Sequence, residues 1–231
     1  MTLKNYDKIK RKANKLSKKR PSSKKEIAQC PLKVKSMIKR LEKINNYVLD
    51  DKNILFIGDD DLVSPLVHEI SNPKTLKVID IDDRIIKAIR EFTKDVINIQ
   101  RFDLRNIYNE VFPDLKEKFD YFITDPPYTL DGMKVFTSVG IKNMKMGSKG
   151  FIAIPYMEKK DWSMDLKKNT LSFLLKNGLL IEEIIPEFHT YTNDIKSSMV
   201  VIKKIEKVDK IELHPLKGPK HFYPKAYAKE D

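Results

Sequence analysis

The sequence predicts an α/β protein built on a mostly parallel seven-stranded sheet that ends in an antiparallel β-hairpin. From residue 53 onward, short apolar runs alternate with stretches of helical periodicity, and this alternation is typical of a parallel sheet covered by helices. The last two β-rich runs, 179–189 and 198–205, leave no room for a helix between them. They are therefore expected to pair as an antiparallel hairpin.

Five apolar runs predict the parallel strands, because strands buried on both faces read as continuous apolar segments. These runs are 54–57, 76–81, 96–99, 121–123 and 151–154. Helical spacing predicts the intervening helices at 62–70, 82–92, from about 131, and at 166–176, while Pro113 breaks the stretch 106–118. Five such units closed by a hairpin have the element order of the Rossmann-like class I methyltransferases.

The rest of the chain divides into three segments around this 51–205 catalytic domain. Residues 1–25 are Lys-rich and predict a basic, flexible arm. Residues 26–50 contain apolar positions at helical spacing and predict a helix packed on the domain. Residues 206–231 hold three prolines among lysines and predict an irregular tail.

The formal net charge of +12 is concentrated at the N-terminus, where residues 1–26 contribute +9. Such a run favours docking on nucleic-acid phosphates, although a solvated arm explains it equally well. No apolar run approaches the roughly 20 residues of a membrane span, and no signal peptide is recognisable. With Cys30 alone and the histidines scattered, neither an internal disulfide nor a metal site is expected. These features predict a cytoplasmic protein.

Acidic residues follow four of the predicted strands, where the carboxyl ends of a parallel sheet bind ligands. The first group is Gly58-Asp59-Asp60-Asp61. A glycine here lets the chain turn close to a nucleoside. Three adjacent carboxylates repel one another, and a cationic ligand would offset that repulsion. A helix N-terminus enriched in aspartate accounts for only one or two of them.

The second and third strands supply the next candidates. Asp80 stands where an acidic residue hydrogen-bonds ribose hydroxyls. Asp82 is a second cofactor candidate, although a helix cap is the competing interpretation. Asp103 stands where a carboxylate could accept a hydrogen bond from an adenine amino group, with a turn-forming aspartate as the alternative.

The fourth group, Asp125-Pro126-Pro127-Tyr128, is the most specific motif of the sequence. Two prolines fix the backbone where the acceptor of a group transfer should lie. Asp125 could orient an amino nitrogen and take its proton, while the Pro126 carbonyl adds an acceptor. Tyr128 could stack on a base or enclose a cation.

Weaker candidates lie outside the strand ends: Glu26, Gln29, His189 and Tyr191. The loop containing His189 and Tyr191 could reach the site from the hairpin. A plain surface loop is the favoured interpretation.

These motifs together resemble one known family. Four segments are similar to those of the branched-chain polyamine synthases. They are Gly58-Asp59-Asp60-Asp61-Leu62-Val63-Ser64, the Asp80-Ile81-Asp82 strand end, Asp103-Leu104-Arg105, and Asp125-Pro126-Pro127-Tyr128-Thr129 followed by Gly132. Arg20-Pro21 and Glu26…Gln29 also resemble that family, so the resemblance covers roughly residues 20–205.

The resemblance implies aminopropyl transfer from decarboxylated S-adenosylmethionine to a polyamine nitrogen. It implies that Asp59, Asp60, Asp61 and Asp125 hold amine groups, with Asp125 or Asp61 nearest the reacting nitrogen. Asp80 would then bind the ribose and Asp103 the adenine. Three aspartates at the first turn would also repel the carboxylate of ordinary S-adenosylmethionine and attract its cationic decarboxylated form.

Two alternatives stay open from the sequence. One is an S-adenosylmethionine-dependent adenine-N6 methyltransferase acting on RNA or DNA, which predicts a basic track from the arm to Tyr128. The other is a non-catalytic binding module. The expected partners are a spermidine-like polyamine and, through residues 1–25, nucleic acid; homodimer formation is left open.

Overall fold

A seven-stranded sheet, in the order β3-β2-β1-β4-β5-β7-β6, organises the chain. The computed structural model describes residues 5–109, 113, 115, 118–157, 160–208, 211, 213 and 222. The strands are β1 (Asn53–Ile57), β2 (Thr75–Asp80), β3 (Asn98–Arg101), β4 (Phe119–Thr124), β5 (Met144–Pro155), β6 (Leu179–Thr190) and β7 (Lys196–Lys204). β7 runs antiparallel to both of its neighbours, and the other strand pairs are parallel.

The described residues include six α-helices. They are α1 (Tyr6–Lys19), α2 (Val34–Asn45), α3 (Ser64–Ile70), α4 (Asp83–Thr93), α5 (Leu130–Asn143) and α6 (Asp161–Lys176). Short 3₁₀ helices at Lys25–Ile27 and Leu104–Asn109 complete the described helical structure. The central strands are almost fully buried, as expected for parallel strands covered on both faces.

The α/β class, the seven strands and the terminal hairpin are confirmed. Two strand boundaries differ from the prediction. β3 begins at Asn98 rather than Val96, because Lys94 and Asp95 both adopt left-handed backbone conformations that turn the chain. β5 begins well before residue 151, directly after α5, and its pairing with β7 starts at Lys149.

The prediction of a flexible arm is wrong for residues 6–19, which form helix α1. This helix contacts α2 and α3, and its apolar side, formed by Ile9, Ala13 and Leu16, is buried. The spacing of these three residues is helical, but they are few among many lysines. Burial of one apolar stripe is enough to hold such a helix on the domain.

Two predicted segments lie largely outside the described residues. They are the later part of the broken helix at 106–118 and the tail at 206–231. Among the residues that the structure does describe, no helix has both the length and the apolar character that crossing a membrane requires.

Candidate active site

Two adjacent cavities open at the carboxyl ends of β1, β2 and β4. They share Ala28, Asp60 and Asp125 as lining residues. The first, here called the cleft, encloses about 550 Å³ including the part open to solvent. The remaining lining residues of the cleft are Ile27, Gln29, Gly58, Ile79, Asp80, Ile81, Phe102, Leu104, Pro127 and Phe136. Those of the second cavity are Cys30, Pro126, Tyr128, Tyr191 and Ile195.

Gly58 forms the turn between β1 and the cleft. Its φ of 71° lies in the left-handed region, and a Cβ atom here would come within 3.2 Å of the Phe136 ring. Both conditions favour glycine at this position. Because Gly58 has no side chain, the backbone after β1 can lie close to Phe136 on α5 at the base of the cleft.

The three consecutive aspartates occupy three different environments. Asp59 accepts hydrogen bonds from the backbone N–H groups of Val63 and Ser64, so it holds the start of α3. Asp61 is buried and accepts from the Leu32 N–H and from Arg40. Asp60 lines both cavities, and 23% of its side chain is exposed. The structure thus brings one of the three to the cavity wall.

The charge states of these aspartates follow from burial. Burial raises the pKa of Asp59 to about 7, against the lowering effect of its hydrogen bonds. Burial, followed by the charge of Asp61, raises the pKa of Asp60 well above its usual range. A cation beside Asp60 would favour its ionised form.

Asp80 lies at the end of β2 and lines the cleft. Its two carboxylate oxygens accept from the backbone N–H groups of Asp59 and Asp82, which fixes the side chain in one orientation. Each oxygen retains a second lone pair for a ligand hydroxyl. Burial raises the pKa of this carboxyl.

Asp82 and Asp103 are directed to protein groups rather than to the cleft wall. Asp82 caps α4 through the Arg84 N–H and accepts from the Arg84 and Gln29 side chains. Although burial acts to raise it, these hydrogen bonds hold the pKa of Asp82 at about 2. Asp103 is paired with Arg105 at 2.5 Å, while its neighbours Phe102 and Leu104 line the cleft.

Asp125 is held by a closed ring of side chains, here called the positioning ring. Arg40 on α2 donates from Nη2 to Asp125 Oδ2 at 2.6 Å and from Nε to His189 Nε2 at 3.0 Å. His189 Nδ1 lies 2.8 Å from Ser197 Oγ, which lies 3.1 Å from the Tyr191 hydroxyl. Tyr191 donates to Asp125 Oδ2 at 2.7 Å and closes the ring.

The proton positions around this ring follow from the donors. His189 Nε2 accepts from the guanidinium, so Nδ1 carries the proton and donates to Ser197. Tyr191 gives its proton to Asp125, so Ser197 and Tyr128 must donate to the Tyr191 oxygen. Every hydrogen bond in the ring therefore points towards Asp125 Oδ2.

Burial supports this assignment. Burial, together with the charges of Arg40 and Lys39, lowers the pKa of His189 well below its usual value, so the imidazole of His189 is neutral. Burial and Asp125 raise the pKa of Tyr191 well above its usual value, so the hydroxyl stays protonated. The positioning ring thus keeps one protonation pattern around neutral pH.

His189 and Tyr191 lie in this buried ring, so the expectation of a plain surface loop is wrong for them: their exposed fractions are 0% and 3%. Gln29 lines the cleft, while Glu26 is exposed. Pro126 and Tyr128 line the second cavity as their motif suggested.

Sequence reasoning missed the roles of Arg20, Arg40 and Ser197. Arg40 is buried and joins Asp61 to Asp125. It lies three residues after Met37 and four before Ile44, on the buried side of α2, and a charge at such a position is the signal that could have found it. Arg20, just after α1, approaches Asp60 and Asp61 at 3.7 and 3.5 Å. Ser197 carries no comparable signal.

Comparison with known proteins identifies what this chain is similar to. A family model described as the branched-chain polyamine synthase A C-terminal domain matches residues 8–226. An N(4)-bis(aminopropyl)spermidine synthase from Methanocaldococcus jannaschii is 32% identical over 200 residues, which cover 84% of this chain and 55% of that protein. One from Thermococcus kodakarensis is 35% identical over 152 residues, covering 63% of this chain and 41% of that protein.

A solved structure extends the likeness. The branched-chain polyamine synthase from Thermus thermophilus, in complex with N4-aminopropylspermidine and 5′-methylthioadenosine, superposes with a TM-score of 0.76 at 22% identity. The alignment covers 93% of this chain and 70% of that one, and it shows a shared fold. The chain spans between 35% and 55% of the length of the curated relatives it matches.

Proposed function

Since the chain belongs to the branched-chain polyamine synthase family, we propose that it transfers an aminopropyl group from decarboxylated S-adenosylmethionine to a nitrogen of a polyamine. The observation that carries this proposal is the charge of the site. Three carboxylates, those of Asp60, Asp80 and Asp125, line the two cavities. Arg20 pairs with Asp60 and Arg40 with Asp125, but the side chains of both arginines are buried and neither is among the described lining residues, so the surface that a ligand meets is acidic. An acidic, partly enclosed site attracts and orients cationic ligands.

The cleft fits the nucleoside part of the donor. Asp80 offers fixed carboxylate oxygens to the ribose hydroxyls. Ile81, Phe102 and Leu104 provide apolar walls for the adenine ring. Asp82 supports the cleft through its hydrogen bond with Gln29, and Asp103 anchors the loop between Phe102 and Leu104 through Arg105.

Asp60 favours a donor that lacks the carboxylate. It lies just past the Gly58 turn, on the wall that both cavities share. An aminopropyl ammonium beside Asp60 would gain a favourable interaction, whereas a carboxylate in the same place would be repelled. Asp59 and Asp61 then contribute by holding the turn rather than by contacting the amine.

Asp125 is the proposed acceptor of the proton. When bound, decarboxylated S-adenosylmethionine supplies a carbon activated by the adjoining sulfonium. The positioning ring occupies Oδ2 of Asp125, while Oδ1 has a 3.4 Å contact with the Tyr128 hydroxyl. Oδ1 can therefore orient the acceptor nitrogen and take its proton as the new C–N bond forms and the C–S bond breaks. The Pro126 carbonyl and the Tyr128 ring complete the wall around that nitrogen.

The ligands bound to a family member also support aminopropyl transfer to a polyamine. The Thermus thermophilus protein holds a branched polyamine and a thioether nucleoside. These are the two products that such a transfer would leave in a cleft and a neighbouring amine cavity. In this chain the cleft and the second cavity meet at Asp60 and Asp125.

The adenine-N6 methyltransferase alternative predicts a basic track reaching Tyr128. Among the described residues, the charged side chains that line the cavity beside Tyr128 are Asp60 and Asp125, while the side chains of their partners Arg20 and Arg40 are buried. A phosphate backbone would be repelled there. The site therefore favours a polyamine over a nucleic acid as the acceptor.

Calorimetry of the purified chain tests the proposal, with decarboxylated and ordinary S-adenosylmethionine titrated separately, each with and without spermidine. We expect tighter binding of the decarboxylated form, strengthened by spermidine, and release of methylthioadenosine when both are present. Preference for ordinary S-adenosylmethionine, with methyl transfer to an adenine-containing oligonucleotide, would replace the proposal with the alternative.

A further inference from the structure

A second concave surface lies between α1 and α4, formed by residues other than those that line the cleft. This groove encloses about 960 Å³ including the part open to solvent. Among its described lining side chains, five are cationic and one is acidic. The lining residues are Arg11, Lys12, Lys15, Lys19, Glu91, Phe92 and Lys94.

Most of this positive charge is uncompensated. Lys12 is paired with Glu69 on α3, and Glu91 lies 3.9 Å from Lys87. Among the described residues, no ion pair or side-chain hydrogen bond engages Arg11, Lys15, Lys19 or Lys94. Four like charges along one groove repel one another, and a polyanion laid in it would relieve that repulsion.

We propose that this groove binds the phosphate backbone of single-stranded nucleic acid, without sequence specificity. Arg11, Lys15 and Lys19 follow one another along α1 at spacings of four residues, so they present a continuous row of charge. Phe92, partly buried in the groove wall, offers an aromatic surface on which a base can stack. The proposal is independent of the reaction in the cleft.

An anionic membrane is a poorer match for the same charges. A helix that lies on a membrane inserts its apolar side into the lipid. The apolar side of α1, formed by Ile9, Ala13 and Leu16, is already buried against the domain. Only the charged side of the helix is available to a partner.

Fluorescence anisotropy with a fluorescein-labelled, mixed-sequence single-stranded RNA tests the proposal on the full chain. Each neutralised phosphate on a single strand contributes about −0.7 to the slope of log K against log salt, so four cations predict a slope of about −3 between about 50 and 200 mM salt. The variant carrying Lys15→Gln, Lys19→Gln and Lys94→Gln should reduce that slope to about −1.

The matched control carries Lys160→Gln, Lys168→Gln and Lys176→Gln, three exposed lysines, of which the first directly precedes α6 and the other two lie on it. It changes the net charge by the same amount and should leave the slope within about 0.5 of the unmodified chain. Equal weakening by both triple variants, or no RNA binding at the lowest salt, would overturn the proposal. So would binding to phosphatidylserine vesicles in place of RNA. Polyamine aminopropylation by the groove variant is assayed separately. The result for RNA binding by the groove can therefore be told apart from the result for catalysis in the cleft.

Discussion

Single residues in the site divide between contacting a ligand and holding the groups that do. Asp60 and Asp59 are neighbours in sequence, yet Asp60 lines both cavities and Asp59 caps α3 with its two oxygens. The difference arises because the left-handed turn at Gly58 and the tight turn after it send successive side chains in different directions. Substitution at each position should therefore affect different properties of the protein.

Replacing Asp60 by Asn removes one carboxylate from the wall where we place the amine. We expect the KM for the polyamine to rise about tenfold, corresponding to roughly 1.4 kcal/mol of lost attraction, with little change in unfolding free energy. Asp59→Asn should lower the stability of the fold, because its amide NH₂ would face the Val63 or Ser64 N–H where a carboxylate oxygen now accepts, and it should leave the KM nearly unchanged. Steady-state kinetics and urea denaturation of both variants check this. A larger effect on KM from Asp59→Asn would contradict the division of roles.

Replacing Asp125 by Asn tests the proton acceptor. The amide retains an oxygen for the positioning ring but cannot take a proton, so kcat should fall by about 10²- to 10⁴-fold. Binding of methylthioadenosine should persist, because Asp125 lies where the cleft meets the second cavity, while Asp80 and the apolar walls that we assign to the nucleoside are unchanged. Asp165→Asn on the exposed side of α6 serves as the control. Full turnover by the Asp125 variant would remove Asp125 from the mechanism.

His189 should make stability depend on pH. Its pKa is lowered in the folded state, so below the unfolded value of about 6.5 the unfolded chain binds more protons. The neutral His189 therefore stabilises the fold fully above about pH 6.5. As the pH falls below that value, the unfolding free energy decreases by up to about 1.4 kcal/mol per pH unit. His189→Gln keeps an acceptor and a donor for the ring but cannot titrate.

Urea denaturation from about pH 7 to pH 5 measures this contribution. The difference between wild type and His189→Gln should shrink as the pH falls, since titrating carboxylates are common to both proteins. Curves that stay parallel over that range would mean that His189 does not titrate as the buried geometry requires.

Helix α1 was hard to predict from the sequence because of its composition. Its lysines dominate the local sequence and favoured an arm, while three apolar residues at helical spacing hold it against α2 and α3. The strands were easier to predict because burial on both faces leaves continuous apolar runs such as Ile54 to Ile57.

Leu16→Ala measures how firmly α1 is attached. Leu16 is fully buried, so the substitution should lower the unfolding free energy by about 2–5 kcal/mol. Ser17→Ala, one position along on the exposed side, should change it by no more than about 0.5 kcal/mol. If both variants changed the unfolding free energy by the same small amount, residues 6–19 would be a loosely attached arm.

At the scale of the whole molecule, the protein combines opposite local charges. Its net charge is +12, yet the charged residues described as lining the site are three aspartates, Asp60, Asp80 and Asp125. Sequence alone located the acidic strand ends, because ligand sites in parallel sheets lie at the carboxyl ends of the strands. It could not pair them with Arg20 and Arg40, since those contacts join segments that are distant in the chain and leave no local pattern.

The positioning ring has a consequence for how the protein folds. It joins Arg40, which precedes the sheet, to His189 in the final hairpin, a separation of 149 residues. Contacts of such high sequence separation close large loops and form late in folding. Transfer activity regained after dilution from urea should therefore return no earlier than the far-UV circular dichroism of the helices and strands. A fragment spanning residues 51–205 would lack Arg40, so it could retain the strands and still be inactive.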